Sequence, residues 1–170
     1  MVTVIKSLFA AEAGELGLAA FLEKASQSIR RMELGRMAMA LTLIRYRQAL
    51  LTVAAAGMPP ILVHRATDKR VEELAVEGVP LGSMAQSSYR EREIRLAAGD
   101  TVLLMSDGFP ELIDANGEPL GYAAVRDLFA THGAESPRQV IAELADAAAD
   151  WSGGTNPSDD ITFVVLQVES

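Results

Sequence analysis

The sequence predicts an α+β fold with helices stacked on an antiparallel sheet, and three observations lead to it. Apolar residues recur at helical spacing from Val2 to Arg31. From Met37 the period switches to two and holds through a run of short strand-like segments. Two more helical stretches and a last apolar run, Ile161–Leu166, close the chain. With no internal repeat and no linker, residues 1–170 read as a single domain, and that length suffices to bury a real core.

The elements follow in order. Val2–Ala13 carries apolar residues at Val2, Ile5, Leu8 and Phe9, and Gly14 closes it. Leu16–Arg31 is amphipathic, with Leu18, Phe21, Leu22, Ala25 and Ile29 on one face and Glu23, Lys24, Gln27 and Arg30 on the other. After Gly35, Met37, Met39, Leu41 and Leu43 alternate as far as Arg47 and predict a strand. Ala49–Ala55 predicts its antiparallel hairpin partner. Gly57-Met58-Pro59-Pro60 breaks the ladder before a third strand, Ile61–His64, and Val71–Val76 reads as a short fourth. Gly78–Gly82 is a loop, and Tyr89–Leu96 alternates charges in the manner of an exposed strand. Thr101–Met105 is apolar enough to be buried on both faces. Tyr122–Thr131 predicts a helix with Val125, Leu128 and Phe129 inward. Ser136-Pro137 opens another that runs to about Trp151, followed by the loop Ser152–Ser158.

Composition narrows the function classes. A net charge of −8 and the absence of any long Lys/Arg run argue against nucleic acid as a partner. With no cysteine there is no disulfide framework and no thiolate chemistry, which suits a cytoplasmic location. Lys6 interrupts the N-terminal apolar run, so that run reads as a helix, not a signal peptide. No apolar stretch is long enough to span a bilayer. His64 and His132 are too separate in sequence to read as a catalytic pair, and both are expected to be surface or strand residues. Arg90 and Arg92 either contact an acidic partner or form a solvated strand face.

The chemistry concentrates at two strand ends. The buried run Thr101–Met105 emerges at Ser106-Asp107-Gly108, which places a carboxylate on a fixed strand where it meets water. The acidic pair Asp159-Asp160 leads into the final strand. If these strands are antiparallel neighbours, the acidic groups converge at one rim, where a divalent cation would relieve their repulsion. Such a site is all oxygen, which favours Mg²⁺ or Mn²⁺ over Zn²⁺. The other reading of the same residues is structural: Asp107 as a turn former or helix cap, and Asp159 and Asp160 as caps of a turn.

Four segments in this order, Ala54–Arg65 (AAAGMPPILVHR), Gly78–Met84 (GVPLGSM), Gly99–Gly121 (GDTVLLMSDGFPELIDANGEPLG) and Ser158–Val168 (SDDITFVVLQV), resemble the metal-dependent protein phosphatase (PPM) family. The resemblance covers essentially the whole chain. It is closest to the bacterial branch of sigma-factor-regulating serine phosphatases, that of the stage II sporulation protein E catalytic domain. It implies an αββα sandwich with two Mn²⁺ or Mg²⁺ ions between its sheets, and hydrolysis of a phosphoserine or phosphothreonine ester by metal-activated water. It maps the family's Asp-Gly ligand motif onto Asp107-Gly108 and its late metal-binding Asp onto Asp159, with Asp160 beside it. It also implies a phosphorylated signalling regulator, such as an anti-sigma-factor antagonist, as substrate.

The sequence departs from the family at its start. Two earlier acidic motifs of the family, one on the first strands and one just before the first long helix, have no counterpart here, so the domain is expected to be N-terminally truncated. Two readings follow: a phosphatase domain, or a catalytically inactive module that binds a protein partner. A sheet edge left bare by missing strands is expected to draw copies together as a homodimer.

Overall fold

The computed structural model describes residues 1–12, 14–32, 37–154, 157 and 159–169. In chain order the elements are α1 (Val2–Glu12), α2 (Leu18–Arg31), β1 (Leu41–Arg47), β2 (Leu50–Ala56), β3 (Ile61–His64), β4 (Val71–Leu74), β5 (Arg92–Arg95), β6 (Thr101–Met105), α3 (Gly121–His132), α4 (Pro137–Ser152) and β7 (Phe163–Gln167). The fold is α+β, and all strand pairing in its two sheets is antiparallel. The chain divides into two compact units: residues 1–58 with 76–95, and residues 59–75 with 96–170.

In the first unit a three-stranded sheet, ordered β1-β2-β5, carries the two helices. The buried face of α2 includes Leu18, Phe21, Leu22, Ala25 and Ile29, the face read from the sequence. It packs on Leu43 of β1 and on Ala54 and Ala56 of β2. Alanine there is functional packing: two small side chains let helix and strand approach closely, while each fully buried Phe or Leu of α2 contributes roughly 1.5–3 kcal/mol. The α1 helix lies against α2, with Ile5 buried and the rings of Phe9 and Phe21 edge to face at 5.7 Å. The β1–β2 hairpin turns at Gln48 and Ala49, both at positive φ (50° and 64°), without the Asn-Gly that such turns usually use.

The second unit holds a four-stranded sheet, ordered β4-β3-β6-β7, with α3 and α4 covering one face. Leu62, Leu103 and Met105 of the sheet meet Val125 and Phe129 of α3 and Val140 and Leu144 of α4. The central strand β6 is buried as expected, with Val102 and Leu103 fully enclosed. Asp100, 1% exposed, fixes the turn that feeds it by accepting the amides of Ala97 and Ala66 and the guanidinium of Arg65 at 2.7 Å. Ser136 caps α4 by accepting the Gln139 amide in a capping box, with Pro137 at the first turn. Among the described strands β7 has one neighbour, β6, and its Val164 and Leu166 are exposed.

Several boundaries and surroundings differ from expectation. The first strand begins at Leu41, not Met37: only Met39 pairs before it, through an isolated bridge to Leu81, and Met37 is exposed. The fourth strand stops at Leu74, and the exposed strand shrinks to Arg92–Arg95, the residues that pair with Leu50–Val53 of β2, with Tyr89 and Leu96 buried at its flanks. His64 is a strand residue but not a surface one; it is 1% exposed, its ring edge-on to Phe129 at 6.1 Å. His132 ends a helix and is partly exposed, within the expectation of a surface or strand residue. The helix end expected at Ala13, the break at Gly35 and part of the loop Ser152–Ser158 lie outside the described residues.

Candidate metal-binding rim

The register of β6 with β7 sets this site. The last pair is Met105 with Phe163, and the chain then continues past the ladder on both sides. Ser106 extends the pairing by one step, its amide donating to the carbonyl of Thr162 at 3.0 Å. Its hydroxyl then takes over from the backbone. Ser106 Oγ accepts the Thr162 amide at 2.9 Å and donates to the Asp160 carbonyl at 2.9 Å. One side chain thus clasps the segment that carries Asp159 and Asp160 to the segment that carries Asp107.

Gly108 tightens that clasp. It is buried, and a Cβ built on it would stand 2.7 Å from the Asp160 carbonyl oxygen and 3.4 Å from that of Asp159. Only a residue without a side chain allows the two segments this close. Glycine here serves close approach and not a left-handed turn. The Asp107 carbonyl accepts the Glu111 amide at 3.0 Å, so the chain after Asp107 winds into a helical turn. Asp107 is half-buried, while Asp159 and Asp160 are exposed. Asp159 Oδ1 accepts the amide of Asp160 at 2.7 Å, so one of its oxygens is engaged locally.

The strand neighbours that the sequence reading required are therefore in place, and the backbone bearing Asp107, Gly108, Asp159 and Asp160 is drawn into one rim. The donors are carboxylates and carbonyls, suited in kind to a hard cation. Ligand number is short: among the described residues no three carboxylate side chains at this rim bring one oxygen each within 4.8 Å of one another. The rim could hold one ion through Asp107 and Asp159 with water completing the shell; a set for two ions is incomplete.

Two contributors escaped the sequence reading. Ser106 carries the clasp, yet a serine before an aspartate has no signature of its own. Tyr122 stands at the edge of the acidic patch: burial pushes its hydroxyl up from the ordinary value, and the carboxylates of Glu111, Asp107 and Glu73 push the same way. Glu111 could have been noticed as one helical turn beyond Asp107; Glu73 and Tyr122 arrive through tertiary packing. Asp114 is a turn organiser, accepting the amides of Asn116 and Glu118 at 2.8 Å each, and those bonds lower its pKa.

The model of the family "Stage II sporulation protein E (SpoIIE)" matches residues 1–169. The chain belongs to the SpoIIE family. A curated relative, "Phosphoserine phosphatase RsbU" of Bacillus subtilis (strain 168), is 27% identical over 116 residues; the match takes in 68% of this chain and 34% of the relative. This SpoIIE-family chain thus spans about a third of that relative's length. Among solved structures, the SiaA-PP2C domain of Pseudomonas aeruginosa superposes with a TM-score of 0.78 at 24% identity, over 97% of this chain and 66% of that one. The phosphatase domain of SpoIIE from Bacillus subtilis, presoaked with Mn, gives 0.64 at 15% identity, over 99% and 73%. The fold is therefore that of the PP2C phosphatases.

Proposed function

We propose that this SpoIIE-family chain is a serine/threonine phosphoprotein phosphatase domain that hydrolyses a phosphoserine or phosphothreonine ester at the Asp107–Asp159 rim. One observation supports the reading: the Ser106 clasp, which ties the segment after β6 that carries Asp107 to the backbone of Asp160 and Thr162, in a SpoIIE-family chain that is similar to a named phosphoserine phosphatase. Asp107 and Asp159 would hold Mn²⁺ or Mg²⁺, with Asp160 and the Gly108 backbone completing or supporting the site. When bound, the ion would supply charge neutralisation at the phosphoryl group and a more acidic water. The protein's own part is positional. Ser106 fixes the two acidic segments against each other, Gly108 lets them close, and the turn to Glu111 holds Asp107 on a rigid support.

The substrate we propose is a phosphorylated regulator of bacterial signalling in the cytoplasm, such as an anti-sigma-factor antagonist. No helix among the described residues is long and apolar enough to cross a membrane. The edge of β7 that has no neighbour among the described strands, with Val164 and Leu166 exposed on that strand, is the proposed homodimer contact. Light scattering after size exclusion should show a dimer that Val164→Lys disperses; a monomer at high concentration would end that idea.

A second reading has its own support. The described carboxylates at the rim do not gather in threes. On that reading the chain is a catalytically inactive module that binds a protein partner. Mn²⁺-dependent release of phosphate from a phosphoserine peptide, abolished in Asp107→Asn and Asp159→Asn, supports the enzyme. Equal release from the wild type and both variants, or none with Mn²⁺ or Mg²⁺ present, supports the binding module.

A further inference from the structure

Away from the rim, the junction of α3 and α4 brings an imidazole and two carboxylates together. His132 is the last residue of α3, Glu135 lies in the short connection, and Glu143 is well along α4. His132 Nδ1 is 3.2 Å from Glu135 Oε1, and its Nε2 is 3.9 Å from Glu143 Oε2. One ligand atom from each of the three lies within 4.8 Å of the others. The ring is mostly covered, with its side chain 23% exposed, while the glutamates at 38% and 47% leave the cluster open to solvent.

The backbone beneath is held firmly. The Glu135 amide donates to the His132 carbonyl at 2.9 Å, and the Glu135 carbonyl accepts Gln167 Nε2 at 3.2 Å, tying the connection to β7. The capping box at Ser136 fixes where α4 starts and hence where Glu143 falls. The charge balance favours a cation. Among the described residues neither glutamate has a Lys or Arg within salt-bridge distance; both converge on the one histidine. Two carboxylates set against a single imidazole leave the cluster with a net negative charge, and it lies at the end of α3, where the helix dipole also favours a cation.

We infer that His132, Glu135 and Glu143 form a second cation site, one that takes Zn²⁺. An imidazole with two carboxylates is a borderline donor set that suits Zn²⁺ with water in the fourth position, in contrast to the all-oxygen rim at Asp107. Tetrahedral Zn²⁺ needs ligand atoms about 3.3 Å apart. Glu135 faces Nδ1 and Glu143 faces Nε2, so a single ion on one ring nitrogen requires the exposed glutamate on the other side to swing round to it. Bound there, the ion staples the end of α3 to α4.

The test uses chelator-stripped protein and Zn²⁺ alone, followed by calorimetry, with Co²⁺ as a spectroscopic probe. The site predicts one saturable Zn²⁺ in the wild type and in an Asp107→Asn/Asp159→Asn variant, with visible Co²⁺ absorption of tetrahedral intensity. Binding should be lost in His132→Ala. In Glu143→Gln, whose substitution lies on the exposed face of α4 and spares the fold, it should weaken by at least about tenfold. Circular dichroism establishes that both variants fold. Wild-type binding in folded His132→Ala and Glu143→Gln, no saturable Zn²⁺ in the wild type, or loss confined to the Asp107→Asn/Asp159→Asn variant would each overturn the assignment.

Discussion

Ser106 Oγ donates to the backbone carbonyl of Asp160 at 2.9 Å while accepting the Thr162 amide at the same distance. The β6–β7 ladder is thereby continued by a side chain past the point where the strands end. Ser106→Ala keeps the fold but removes both bonds, leaving the Thr162 amide without its partner. A loss of about 1–2 kcal/mol is expected, read as a lower urea midpoint at unchanged slope. An unchanged midpoint would show that the clasp does not hold the acidic segments.

Gly108→Ala should be worse than its size suggests. The new methyl would meet the Asp160 carbonyl oxygen at 2.7 Å, and backbone, not a movable side chain, stands in its way. Overpacking of this kind costs about 1–3 kcal/mol. Here it also pries Asp107 from Asp159, so thermal stability and Mn²⁺ affinity should fall together. Gly117→Ala serves as a control for substitution in an open loop, because nothing lies within 4 Å of its added carbon, although its φ of +87° brings its own strain.

His64 should make stability depend on pH near neutrality. Burial lowers its pKa from the ordinary 6.5, only partly opposed by Asp100, and its Nδ1 has no hydrogen-bond partner among the described residues. The folded protein thus binds this proton less readily than the unfolded chain does. Stability is fully present above 6.5 and declines as pH falls below it, until the folded-state pKa is reached. Urea midpoints measured between about pH 7.5 and 5 should drop on the acid side. His64→Phe should flatten that part of the profile. A profile of the same slope in wild type and variant would remove His64 as its source.

Asp100→Ala is expected to be among the most damaging substitutions in the second unit. Burial opposes its charge, yet the Ala97 and Ala66 amides and Arg65 outweigh that and keep its pKa below the usual value. Removing one member of so enclosed a pair costs about 3–5 kcal/mol. Chemical denaturation measures it directly. A loss below about 1 kcal/mol would place the Arg65–Asp100 pair with ordinary surface ion pairs.

The parts of this fold that were legible in the sequence are those set by local periodicity. The buried stripe of α2, the apolar core strand β6 and the Ser136-Pro137 start of α4 each follow from side-chain spacing or capping chemistry. The approach of the Ser106–Gly108 backbone to that of Asp159-Asp160 was also foreseeable, because an end and a start of neighbouring antiparallel strands must share a rim. What was not legible depends on tertiary placement. The last strand begins at Phe163 and not at Ile161, since the Ser106 hydroxyl takes the place of a backbone partner at Thr162. His64 follows three apolar residues and shares their burial, its ring against Phe129 and Gly133. Likewise, Glu143 meets His132 only because α3 and α4 pack side by side.

The central claim is that Asp107 and Asp159 form a cation site, and calorimetric titration of Mn²⁺ into the chain, beside Asp107→Asn, tests it most directly. The account predicts saturable binding in the wild type that the substitution abolishes. Binding of equal strength in both proteins, or no binding up to millimolar Mn²⁺, would contradict it and leave the rim as a structural turn.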